Sequence, residues 1–214
     1  MLKIVTAATG GLLLASLLSG CPAAVIGGAG MTASVAHDRR TTGTYVEDQE
    51  IEIHAFRLLQ DNPSIKDRSN IATTSYNLVV LLTGQAADAQ TSARFAELVA
   101  KLPRVKQVHN EVIVGTETTL ADDSGDSYIT SKVKLALFDV KVPGFDPTRV
   151  KVVTSRSVVY LMGLLTPAEI DAVVDKVRRV SGVLRVVKVF ETLPPGSVPA
   201  AAPPREQPAA SSTG

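Results

Sequence analysis

The sequence predicts an α+β fold: two tandem αββαβ modules, each a three-stranded sheet packed on two helices, flanked by disordered segments. Three observations predict it. The chain repeats itself at a nearly constant offset: Ile51, Val105 and Val108 precede Ile129, Val183 and Val186 by 78 residues, and Gly84 precedes Gly163 by 79. Within each copy, apolar residues at helical spacing alternate with β-rich runs. Both ends of the chain, by contrast, carry neither period.

Each copy reads in the same order. The first helix of copy two carries Ile129, Val133, Ala136 and Leu137 at i, i+4, i+7 and i+8, a stripe that suits packing on a sheet. Two β-rich runs follow, near 71–73 and 78–82 in copy one and near 150–153 and 158–162 in copy two. The glycine after the second run, Gly84 or Gly163, suits a turn. A second helix opens in copy two with Thr166 as N-cap, Pro167 at the first helical position and Glu169 completing a capping box. A last strand, 107–114 or 185–191, closes each module. Between the copies "GTETTLADDSGD" is polar and turn-rich, hence a linker, with Asp126 or Ser127 capping the helix that follows. The expected boundaries are a leader over 1–20, a tether over 21–45, module one over 46–115, the linker over 116–125, module two over 126–192 and a Pro/Ala-rich disordered tail over 193–214.

The leader has one base, Lys3, and an apolar run of about 15 residues from Ile4 to Leu18, ahead of Ser19 and Gly20. That run is shorter than the ~20 residues a membrane-spanning helix needs, so it reads as a cleaved secretory signal. Cys21 is the only cysteine, which excludes an intrachain disulfide and a cysteine zinc site. Leu18-Ser19-Gly20-Cys21 resembles a bacterial lipobox, which implies that Cys21 becomes the acylated N-terminus. Pro22 and Ala23 follow it without the Asp that often marks inner-membrane retention, so the resemblance favours the outer membrane, facing the periplasm. Several acyl chains, each contributing ~0.8 kcal/mol per buried CH2, would make the anchor stable.

"DSYITSKVKLAL", "VVYLMGLLTPAE" and "VRRVSGVLRVVKVFE" in copy two together resemble the BON domain, with its opening helix, an apolar strand ending in Gly, and V-x-G-V-x-x-V before the last strand. Copy one is a weaker match, having Leu102-Pro103-Arg104-Val105 where the family usually places a Gly. Two such copies behind a lipobox look like the dual-BON outer-membrane lipoproteins. The resemblance implies binding of anionic phospholipid, such as phosphatidylglycerol or cardiolipin, through the first helix of a module, and a role in outer-membrane integrity.

Composition narrows the function further. A net charge of +1 overall gives no reason to expect a nucleic-acid partner. The three histidines, His37, His54 and His109, lack metal-ligand spacing. No nucleophile motif or phosphate loop occurs, so neither an enzyme nor a cofactor is expected. The distribution of charge is more informative than its sum. Residues 46–115 hold nine acids and seven bases, a net of −2, whereas residues 124–193 hold seven acids and eleven bases, a net of +4. Copy two is therefore the one an anionic surface attracts.

Its first helix sharpens the contrast. At ~100° per residue, Tyr128, Leu135 and Phe138 fall on a second stripe away from the core face, with Ser131 and Lys132 among them and Lys134 nearby. The corresponding residues of copy one are Glu50, Arg57 and Gln60, with His54 matching Lys132. An apolar strip beside cations suits a helix lying in a headgroup layer. Lys141, Arg149, Lys151 and Arg156 are further candidates for electrostatic contact. The alternative is that this stripe packs on copy one, with Ile53 and Phe56 as the other half of the contact, or recruits an outer-membrane assembly or division-site protein.

Overall fold

The structure, a computed structural model, describes residues 38–115 and 120–194. Module one contains α1 (Thr42–Gln60), the short α2 (Pro63–Lys66), β1 (Ser69–Tyr76), β2 (Val79–Ala86), α3 (Ala89–Ala100), β3 (Gln107–Asn110) and β4 (Ile113–Val114). Module two contains α4 (Leu120–Leu137), a 3-10 turn at Pro147–Arg149, β5 (Lys151–Ser155), β6 (Val158–Leu165), α5 (Pro167–Val177) and β7 (Arg185–Thr192). The αββαβ order holds in both. The helix starts follow side-chain capping: Asp88 accepts from Thr91 N at the head of α3, and Thr166 and Glu169 form a full capping box on α5.

In each sheet the second strand is central. β1 runs antiparallel to β2 with Ser69 opposite Ala86 and Tyr76 opposite Val79, and β3 lies parallel on the other side. β5, β6 and β7 repeat this arrangement. Module one's last strand is broken, because the Asn110 side chain accepts from Val112 N and the chain turns before β4 resumes beside β2. Both hairpins close through two residues of positive φ, Asn77 and Leu78 in one and Arg156 and Ser157 in the other, as a two-residue primed turn requires.

Gly84 and Gly163 lie inside β2 and β6 and not in turns. Their role is close approach. A Cβ on Gly84 would sit 2.0 Å from the Asn70 carbonyl oxygen, and one on Gly163 2.8 Å from that of Arg149.

Helices cover one face of each sheet. Ile51, Ala55, Ile71, Val80, Leu82, Phe95 and Val99 form the first core, and Ile129, Val133, Leu137, Val159, Leu161, Val173 and Val177 the second. The other faces of the two sheets pack on each other. Tyr76, Val79 and Leu81 meet Val158, Tyr160, Met162 and Val189 in a third core. Polar contacts ring it: Asn77 Nδ2 donates to Glu191 at 2.7 Å, Lys151 Nζ to Glu52 at 2.9 Å, and Arg156 to Gln85 at 3.1 Å. The intermodule contact is therefore sheet on sheet. Ile53 and Phe56 are exposed and take no part in it.

Two expected boundaries move. The tether over 21–45 is not a tether at its end: α1 opens at Thr42 with Thr41 as N-cap, and Asp38 to Arg40 strap the modules together. Arg39 makes paired 2.7 Å bonds to Glu169 and donates to the Leu164 carbonyl at 2.8 Å in module two. Arg40 pairs with Asp48 of module one at 2.8 Å and lies over the Tyr76 ring, 3.9 Å from its centroid. The linker also shortens, because α4 begins at Leu120. Asp126 is consequently inside the helix and does not cap it. Its carboxylate accepts instead from Arg156 N and Ser157 N, at 2.6 and 2.8 Å, holding the β5–β6 turn. Asp48, 78 residues earlier, does the same for Asn77 N and Leu78 N, both at 2.8 Å.

Candidate functional site

α4 divides into two faces. Ile129, Val133 and Leu137 point into the second core, between 0 and 6% exposed. Tyr128, Leu135 and Phe138 are turned outward, at 66, 69 and 66% exposure. For three large apolar side chains on one helix this is an uncovered strip, and such strips mark surfaces that meet another phase or partner. Ser131 is exposed within it, its hydroxyl donating to Ser127 O at 3.0 Å.

The cations around the strip differ in how committed they are. Lys132 Nζ lies 4.5 Å from the Tyr128 ring centroid and donates to the Ser181 carbonyl, tying α4 to the loop before β7. That loop carries Leu184, 81% exposed, an apolar surface residue that helical periodicity had no means of finding. Lys134 is exposed and has no hydrogen-bond or ion-pair partner among the described residues. Three of the other candidates are engaged within the chain: Arg149 with the Gly144 carbonyl, Lys151 with Glu52, and Arg156 with Gln85. Lys141 is exposed.

Gly182 shows why the V-x-G-V motif carries a glycine. Its φ is +95°, and a Cβ there would sit 3.2 Å from Ile129. Arg104 occupies the corresponding place in module one and adopts φ 68° despite its side chain, which reaches Glu47. The module-one fold thus survives the departure from the motif.

Among the described residues no group of three or more His, Cys, Asp or Glu is arranged to hold a metal ion, and no helix is long and apolar enough to cross a membrane. Cys21 lies outside the described residues.

Two αββαβ modules in tandem define the class. The sequence pattern of the BON domain matches residues 47–116 and 125–194, and the chain belongs to the BON-domain family. It is 36% identical over 177 residues to the outer membrane lipoprotein DolP of Haemophilus influenzae, covering 82% of this chain and 90% of that protein. It is also 36% identical over 156 residues to a "21 kDa hemolysin" of Actinobacillus pleuropneumoniae, covering 72% of this chain and 78% of that one. Among solved structures, the C-terminal domain of CdsD, a structural protein of the Chlamydia trachomatis type III secretion system, aligns at 18% identity over 69% of this chain and 67% of that one. Its TM-score is 0.27, too distant a likeness to bear on this chain.

Proposed function

We propose that this chain is an outer-membrane lipoprotein of the DolP type, anchored by acylated Cys21 and facing the periplasm, whose second module reads anionic phospholipid through α4 and so supports outer-membrane integrity. The observation that carries the reading is the uncovered strip of Tyr128, Leu135 and Phe138 beside Lys132 and Lys134, on the module with the positive balance. Rings and branched chains enter the headgroup boundary while ammonium groups meet phosphates. Tyr128 suits that depth, with an apolar body and a polar tip. The two domains have no catalytic task in this reading. Similarity to a protein named as an outer membrane lipoprotein supports the anchor and the location.

The test is flotation of the chain beginning at Pro22, which keeps every described residue, with vesicles of phosphatidylcholine alone or with added phosphatidylglycerol or cardiolipin. Binding should require the anionic lipid and weaken as salt rises. Tyr128→Glu with Leu135→Glu should abolish it with unchanged circular dichroism; retained binding by that variant would sink the proposal.

A second reading has its own observation. Ile53 and Phe56 are exposed on α1, at 50 and 62%, and would serve to recruit an outer-membrane assembly or division-site protein. Crosslinking through these positions in intact envelopes separates the readings, since lipid recognition by α4 predicts no specific adduct there.

A further inference from the structure

The outward face of α1 carries a pattern that the fold of module one does not use. Val46, Gln49, Ile53, Phe56 and Gln60 recur at intervals of three and four, the spacing that lines one seam of a helix against a partner helix. At ~100° per residue this seam lies opposite Asp48, Ile51 and Ala55, which are at most 2% exposed and point into module one. Val46, Ile53 and Phe56 are 51, 50 and 62% exposed, so the seam is left open among the described residues.

The charges beside the seam decide what fits it. Glu50 and Arg57 flank one edge, two helical turns apart, and both are exposed. Neither side chain has a hydrogen-bond or ion-pair partner among the described residues. The neighbouring acids of α1 are already engaged, Glu47 with Arg104 and Glu52 with Lys151. One free acid and one free base leave this edge without net charge, and an acid and a base set apart along a helix are complementary to the same helix reversed. Two copies running antiparallel bring Glu50 of each within reach of Arg57 of the other, twice by symmetry. The same register sets Ile53 against Phe56 in both halves and Gln49 against Gln60 at either end. A parallel pair would instead bring Arg57 to Glu52, already bonded to Lys151 and to Ser75 N, and would leave Glu50 facing Tyr45.

We infer that α1 is a self-association surface: two copies of this chain pair antiparallel along the seam from Val46 to Gln60, centred on Ile53 and Phe56 and locked in register by two reciprocal Glu50–Arg57 ion pairs. The strip that the second reading of function offers to another protein thus goes to a second copy of this chain. A single pair of helices this short buries less than the ~1,200 Å² of a stable complex, so the dimer is weak and forms where copies are concentrated, as anchorage to one membrane surface would concentrate them. Nothing in this pairing draws on the lipid reading of α4.

The test is sedimentation equilibrium of the chain from Pro22 at low salt, up to about 1 mM. A reversible monomer–dimer equilibrium should appear, and Ile53→Glu with Phe56→Glu, both at exposed positions, should return it to monomer with unchanged circular dichroism. Glu50→Arg alone and Arg57→Glu alone oppose like charges and should each dimerise about tenfold more weakly, whereas an equimolar mixture of the two variants should regain the strength of the unaltered chain. The chain from Pro22 has no cysteine, so orientation is read from Gln49→Cys and Gln60→Cys: a disulfide-linked dimer should form when the two variants are mixed and not from either alone. A monomer at every concentration overturns the inference, as does a dimer that survives Ile53→Glu with Phe56→Glu and therefore uses another face. A mixture of charge variants no stronger than its components removes the ion pairs, and disulfides within each cysteine variant alone remove the antiparallel register; either result overturns it. A monomer whose position 53 crosslinks to a different protein in intact envelopes would give the seam to that partner.

Discussion

At the scale of single residues, the repeat places equivalent side chains in equivalent work, and the burial of each decides how much it matters. Asp48 is fully buried and accepts from Ser75 Oγ, Asn77 N, Leu78 N and Arg40. Removing it leaves the Ser75 hydroxyl and two turn N–H groups without their acceptor and takes one of the two carboxylates that Arg40 meets, so Asp48→Ala should destabilise the chain by about 3 kcal/mol. Asp126 is half-exposed and holds only the two backbone donors of its turn; Asp126→Ala should cost about 1–2 kcal/mol. Urea midpoints followed by far-UV circular dichroism compare the two, and equal losses would contradict the burial argument. Arg104 sits at positive φ where its counterpart is Gly182. Arg104→Gly should therefore stabilise module one by up to about 1 kcal/mol, since its pair with Glu47 is solvent-exposed and contributes little. The sequence shows both aspartates at the 78-residue offset. What hides their role is that an Asp just before an apolar period reads as an N-cap, whereas here each helix has already begun one or more turns upstream.

At the scale of elements, the strap shows where pattern reading runs out. "HDRRTTG" has no hydrophobic period, so it reads as tether. Its order comes from charge pairing with groups far away in the chain: Arg39 meets Glu169 across 130 positions. No local window contains both partners. α4 behaves oppositely, its core stripe and its outward stripe both being legible, because helical periodicity is local and the two stripes differ by angle alone. The exposure of the second stripe follows from where module one sits, which the spacing does not reveal.

The strap also carries a pH dependence. Burial alone would raise the Glu169 pKa, but bonds from Arg39 and from Thr166 outweigh it and hold the carboxyl below its ordinary 4.5. Asp38 is likewise lowered below 3.8, burial again being overcome, here by Arg40. A carboxyl depressed in the fold contributes stability that is complete above its unfolded pKa and lost as pH falls through the folded one. Stability should then be flat near neutrality and decline on acidification from about pH 4.5. Glu169→Gln should lower stability at pH 7 and flatten that acid limb; an unaltered limb would show that the strap does not bear on acid sensitivity. Arg39→Ala, which leaves Glu169 buried without its cation, should destabilise by about 2 kcal/mol.

At the scale of the whole molecule, the question is whether two repeats make two folding units. The sequence expectation covers one face of each sheet with helices and leaves the other unassigned. Yet β6, "VVYLMGLL", lacks the apolar–polar alternation of a strand wet on one side, and such a run belongs to a strand buried on both faces. That was a legible signal for the sheet-on-sheet core, whereas the partner sheet was not legible, because nothing in β6 specifies what lies opposite. Tyr160 and Met162 are at most 1% exposed in that core, and burying side chains of this kind contributes roughly 1.5–3 kcal/mol each. Together with the strap, this contact couples the modules strongly enough that neither should unfold with the other intact. The full chain should therefore show one urea transition, with amides of β1 and of β7 sharing a midpoint. Met162→Glu places a charge in the shared core and should lower both midpoints alike. Residues 120–194 alone would present Val158, Tyr160, Met162 and Val189 to water, and should self-associate on gel filtration. Separate midpoints for the two modules, together with a monomeric second module, would mean that the sheets rest on each other without depending on each other.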